Sequence, residues 1–65
     1  MNTIGQQIYE YRKKHELSQK AFAELVGIDR SYLVQIENGK RIPGRAAAFK
    51  IARLIREDKK SLVNL

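Results

Sequence analysis

Sixty-five residues make one domain, and a chain this short buries only about 60% of the surface it exposes when unfolded, so its stability margin is small. Thirteen Lys and Arg against seven Asp and Glu leave a net charge of +6, which favours a polyanionic partner, nucleic acid first and an anionic membrane surface second. The absence of cysteine excludes disulfides and thiolate metal sites, no apolar run approaches the ~20 residues of a membrane span, and the first residues lack the basic and apolar regions of a secretory signal.

Thr3 is the predicted N-cap of a first helix that runs from about residue 2 or 3 to His15. Ile4, Ile8 and Tyr11 form its inner stripe. Lys13, Lys14 and His15 put positive charge at its C-terminal end, where the helix dipole favours it. Ser18 caps a second helix that ends at Val26. Asp29 caps a third that ends near Asn38, with Gly39 as the glycine after it. Phe22 and Val26 stand one turn apart, and Leu33 and Ile36 another. Gly27 lies between the pairs, where the reversal needs a residue that tolerates positive φ. Ala23 is small enough to let another helix cross close by. Residues 18–38 therefore read as a helix-turn-helix.

Lys40 to Gly44 reads as a loop. A fourth helix, Arg45 to about Arg56, carries Ala48, Phe49, Ile51, Ala52 and Ile55. A short fifth helix is expected from about Lys59 to Asn64, and the chain closes on Leu62, Val63 and Leu65. The expected architecture is all-α: a compact five-helix bundle, one domain over residues 1–65. It begins at Met1 and ends soon after its last apolar residues, which reads as complete; a segment of a longer protein would read the same.

With Leu33 facing the core, at about 100° per residue, Ile36 falls on the same side of the third helix. Ser31 and Gln35 fall nearly opposite, with Val34 and Asn38 beside them. Arg30 and Tyr32 flank that face near the N-terminus, the end that enters a major groove. Arg30, Ser31, Tyr32, Val34 and Gln35 are thus candidates to read bases. Arginine donates two bonds to guanine O6 and N7, glutamine pairs with adenine N6 and N7, and valine packs on a thymine methyl. The alternative is an ordinary solvated face, for which an exposed Tyr-Leu-Val run is poor design.

Gln19 opens the second helix, where free N–H groups and the dipole suit a phosphate. Asn38, Lys40, Arg41 and Arg45 cluster around the loop after the third helix. These five are candidates for DNA backbone contacts, which fix register and supply salt-dependent affinity. Glu37 lies about 40° from Leu33 and Arg12 about 40° from Ile8, both towards the inside. Ile55, Leu62, Val63 and Leu65 form either a dimer surface or the lid of the monomer core. His15 is the single histidine, with no carboxylate pair at ligand spacing, so no metal site is expected. There is no Gly-rich phosphate loop and no Ser/His/Asp set, so neither an enzyme nor a cofactor is expected.

Ser18-Gln19, Ala23, Gly27, Leu33, Ile36-Glu37, Asn38-Gly39-Lys40 and Pro43 stand in register with the helix-turn-helix of lambda-repressor-like regulators, the Cro/XRE family, which this segment resembles. Ile4-Gly5, Ile8 and Arg12-Lys13 resemble the family's first helix, and Phe49 to Ile55 its fourth. The resemblance covers roughly residues 3–56. It departs at Glu16, where Gly or Asn is usual, at Gly44, where Ser, Thr or Asp usually caps, and at Ala48, where a larger aliphatic residue is common. Phe49 or Tyr11 is the candidate to fill that last space.

The resemblance implies sequence-specific double-stranded DNA binding by a transcriptional repressor or a phage or plasmid switch protein. It implies a homodimer on a roughly palindromic operator and a cytoplasmic location in a bacterial or phage setting. It also implies that Arg12 pairs with Glu37 between helices 1 and 3, against the alternative of two solvated charges, and that Gln19 braces a recognition residue. Nothing points to a small-molecule ligand. One rival is an antitoxin or adaptor whose main partner is another protein. A second is a basic membrane-surface protein, but the apolar positions fit a bundle.

Overall fold

The computed structural model describes residues 3–63, with side chains described for residues 3–56. All regular structure among them is helical: α1 (Ile4–Lys14), α2 (Gln19–Val26), α3 (Arg30–Glu37) and α4 (Arg45–Val63). Each of the first three starts where a short polar side chain satisfies a free N–H. Thr3 forms a capping box with Gln6: its hydroxyl accepts from the Gln6 N–H at 3.1 Å, and Gln6 Oε1 accepts from the Thr3 N–H at 3.2 Å. Ser18 accepts from the Ala21 N–H and Asp29 from the Ser31 N–H.

The helix ends divide by φ. Gly27 and Gly39 take φ of 83° and 73°, and Glu16 takes 55°. After α1 the Leu17 N–H reaches back to the Arg12 carbonyl at 2.8 Å, and after α3 the Lys40 N–H reaches the Gln35 carbonyl at 2.9 Å. Both are six-to-one closures around a left-handed residue. At the first that residue is Glu16, so the α1–α2 turn keeps the geometry glycine normally supplies and carries the steric strain of a Cβ.

α2 and α3 have eight residues each, too short to persist alone in water. They are held by a common core of Ile8, Phe22, Ala23, Val26, Leu33, Ile36, Ala47 and Ile51, all buried. Ile4, Tyr11, Leu17, Ile28, Tyr32, Leu54 and Ile55 pack around it. The Tyr11 ring meets Phe22 edge-on, with centroids 5.8 Å apart, and also meets His15 at the end of α1, centroids 4.3 Å apart. α1 and α3 approach closely at Gly5: a Cβ there would lie 2.6 Å from the Ile36 carbonyl oxygen and 3.1 Å from Glu37 Cα.

Two expectations are corrected. There is no break between a fourth and a fifth helix; α4 continues to Val63, so the described residues form four helices. Residues 57–61 contain no Gly or Pro, and Glu and Lys propagate a helix readily, so extension wins over a new nucleus. Phe49 is also not a core residue. Ala47 and Ile51 are buried, while Phe49 is 65% exposed and Ala52 is exposed. Of the two aromatic candidates, Tyr11 packs on the core. No helix among the described residues is long and apolar enough to cross a membrane.

Candidate nucleic-acid interface

An ion pair joins α1 to the end of α3. Arg12 on α1 donates to Glu37 at the end of α3 through Nε to Oε2 at 2.7 Å and Nη2 to Oε1 at 3.0 Å. Its Nη1 donates to the Leu17 carbonyl at 3.0 Å. The two side chains are only 12% and 6% exposed. Hydrogen bonding to Glu37 raises the Arg12 pKa above its ordinary value, against the lowering effect of burial. Gln19 Nε2 lies 3.5 Å from Glu37 Oε1, so one carboxylate gathers α1, α2 and α3. Helical phase indicated the inward direction of Arg12 and Glu37; the bidentate geometry and the third bond to Leu17 are what the fold adds.

On the opposite side of α3, Arg30, Ser31 and Gln35 are exposed and Val34 is half-exposed. These four line a shallow surface groove. The Ser31 hydroxyl donates to the Asp29 carboxylate, which also accepts from the Ser31 N–H. The Ser31 hydroxyl bond is the leading cause that lowers the Asp29 pKa. Ser31 therefore has lone pairs, rather than its proton, to offer outward.

Tyr32 stands apart from this group. It is half-buried against the core, and its hydroxyl accepts from the Gly44 N–H at 2.8 Å. That bond ties the start of α4 to α3, and the Ala48 N–H bond to the Gly44 carbonyl at 2.8 Å opens the helix. Gly44 thus has its N–H satisfied although it brings no capping side chain. Nothing in the sequence pattern linked Tyr32 to Gly44; a tyrosine next to the core stripe, with a polar end to satisfy, was the available signal.

Asn38, Lys40, Arg41 and Arg45 are all exposed around the α3–α4 loop. Arg41 also bonds Gln35, Nη1 to Oε1 at 3.3 Å, and its guanidinium carbon lies 5.2 Å from the centre of the Tyr32 ring. Ile42, in the same loop, is 90% exposed. Gln19 is half-buried at the first turn of α2. Ile55 packs against the core, whereas the side chains of Leu62, Val63 and Leu65 lie outside the described residues. Among the described residues no group of His, Cys, Asp or Glu is placed to hold a metal ion.

The helix-turn-helix family profile HTH_3 matches residues 8–59. The chain is 38% identical over 55 residues to the ImmF control region 10 kDa protein of Bacillus phage phi105, covering 85% of this chain and 61% of that protein. It is 42% identical over 43 residues to an HTH-type transcriptional regulator of Methanocaldococcus jannaschii, covering 66% of this chain and 65% of the relative. An HTH-type transcriptional regulator of Archaeoglobus fulgidus is 40% identical over 47 residues, 72% of this chain and 67% of its own length. The chain thus spans a little under two thirds of the length of the first two relatives. No solved structure matches it. The chain belongs to the Cro/XRE-type helix-turn-helix family.

Proposed function

We propose that this protein is a cytoplasmic repressor or phage-type switch protein, one domain over residues 1–65, that binds a roughly palindromic operator as a homodimer. The observation that carries the reading is the outer face of α3. Arg30, Ser31, Val34 and Gln35 share one groove on the side away from the Arg12–Glu37 pair. In this reading those four side chains meet base edges in the major groove. Tyr32 supports the face from beneath, and Gln19, Asn38, Lys40, Arg41 and Arg45 approach phosphates. One eight-residue recognition helix reaches few base pairs, so useful specificity calls for two copies. Ile55, Leu62, Val63 and Leu65 are the proposed dimer surface, the alternative being that they form the lid of the monomer core.

Selection from random duplexes tests this. The expected result is an inverted repeat whose half-sites are centred about one helical turn apart. Enrichment of unrelated sequences with no repeat would overturn it. A second reading, an adaptor or antitoxin that holds another protein, is favoured by the groove between α2 and α4. Leu25, Val26, Lys50, Arg53 and Leu54 line it, and Leu25 is 61% exposed. Loss of a co-purifying protein on Leu25→Asp, with operator binding unchanged, would support that reading.

A further inference from the structure

The α3–α4 loop meets the recognition face through one cation. Arg41 Nη1 donates to Gln35 Oε1 at 3.3 Å. Behind it, the guanidinium carbon sits 5.2 Å from the centre of the Tyr32 ring, a cation–π distance. Tyr32 is itself immobilised, half-buried against the core and bonded through its hydroxyl to the Gly44 N–H. Arg41 is therefore a surface cation on a fixed platform, and the group it touches is an exposed glutamine at the centre of the outer face of α3.

This contact has a directional consequence. A guanidinium carries only donors, so the Gln35 carboxamide must turn its oxygen towards Arg41 and its NH2 away. The orientation of that amide decides which base edges it can read. Nε2 donates to purine N7, guanine O6 or thymine O4, whereas Oε1 accepts from the exocyclic amines of adenine and cytosine. An oxygen held by Arg41 keeps one further lone pair, so adenine remains readable through N7 and N6 together. Cytosine, whose base edge offers only its N4 donor, is disfavoured.

We propose that Arg41 is a positioning residue for base recognition: it orients the Gln35 carboxamide so that Gln35 presents its NH2 donor to the major groove. The inference rests on the reading that the outer face of α3 enters that groove. It gives Arg41 two separable effects. Its charge is felt on every DNA sequence, and its bond to Gln35 is felt only at the base pair Gln35 reaches.

The test uses the full chain and the selected operator, with all four base pairs substituted at each position, for wild type, Gln35→Ala, Arg41→Met and the double variant. Thermal melting checks that each is folded; Arg41 and Gln35 are both exposed. Gln35→Ala identifies the base pair that Gln35 reads. At that position Arg41→Met should cut discrimination by about threefold to tenfold, a part of what a full bidentate contact supplies, with cytosine gaining most. At other positions it should weaken binding uniformly. In the Gln35→Ala background, Arg41→Met should leave the profile at that position unchanged while still weakening random duplex.

If Gln35→Ala alters the profile but Arg41→Met only lowers affinity evenly, Arg41 is a backbone clamp and the proposal falls while the α3 reading stands. If Gln35→Ala leaves every position unchanged, the reading of α3 falls and the proposal with it.

Discussion

Arg12 and Glu37 form a bidentate pair between α1 and α3, at 2.7 and 3.0 Å, 25 residues apart in sequence. Both are largely buried, so removing one leaves the other charged and desolvated. Breaking a buried pair costs about 3–5 kcal/mol and an exposed one under 1, and this pair falls nearer the buried limit. A 65-residue chain at typical stability per residue has only about 3–10 kcal/mol in all. Glu37→Gln should therefore lower the melting temperature sharply and weaken DNA binding through misplacement of α3. Adding a neutral residue at Arg12 should cost less than the sum of the single changes. A double-mutant cycle with no coupling would show two independent charges.

Gly5 should not accept a side chain. Alanine is the better helix former by about 1 kcal/mol, but its Cβ would meet backbone atoms of α3 at 2.6 to 3.1 Å. Overpacking of this kind costs typically 1–3 kcal/mol and moves the neighbouring helix. Gly5→Ala is expected to lower Tm by several degrees and to reduce operator affinity. A variant with raised Tm would mean that α1 and α3 separate without penalty.

At Glu16 the sign reverses. Its φ of 55° costs a non-glycine residue roughly 1–2 kcal/mol, partly offset in any Gly variant by greater freedom of the unfolded chain. Glu16→Gly should stabilise the domain by about 0.5–1 kcal/mol, a rise of a few degrees in Tm. DNA affinity should be unchanged, since Glu16 lies in the α1–α2 turn. A drop in Tm would place the turn's stability in the glutamate side chain rather than in the backbone.

Asp29 is expected to contribute an acid dependence. Its folded pKa lies below the ordinary 3.8, first because the Ser31 hydroxyl bonds the carboxylate. A depressed folded pKa means stabilisation that is fully present above the unfolded value and is lost as pH falls through the folded one. Asp29→Asn should therefore melt below wild type at neutral pH, and the gap should narrow below about pH 4. A gap independent of pH would show that the charge is irrelevant to the cap.

Lys40 and Arg45 are predicted to act through phosphates. Neutralising either should weaken operator and random duplex alike and reduce the log–log salt slope by roughly 0.9 per lost contact in each bound subunit. A neutral variant that lost only operator binding, with its salt slope intact, would make that residue a base reader.

The helix boundaries of the first three elements were legible in the sequence because the signals are local. A cap is a bond between residues two or three apart, as at Thr3, Ser18 and Asp29, and a left-handed C-terminus announces itself by glycine at positions 27 and 39. The outer face of α3 was legible for a similar reason. Helical phase alone sets Ser31 and Gln35 opposite Leu33, and the groove they share with Arg30 and Val34 follows.

Only the tertiary structure decided what stands at the other end of each side chain. Phase sends Tyr32 to the flank of α3, but the Gly44 N–H that its hydroxyl meets comes from the start of another helix. Phe49 reads as core in a single-helix pattern, yet α4 docks through Ala47 and Ile51 and leaves it outside. Gly5 is one residue among the apolar positions of α1 until α3 crosses within reach of its missing Cβ. Arg41 reaches from the loop to Gln35 and lies over the Tyr32 ring. A wheel fixes a direction relative to its own helix axis. The neighbour that lies in that direction depends on how helices distant in sequence pack to fill one small core.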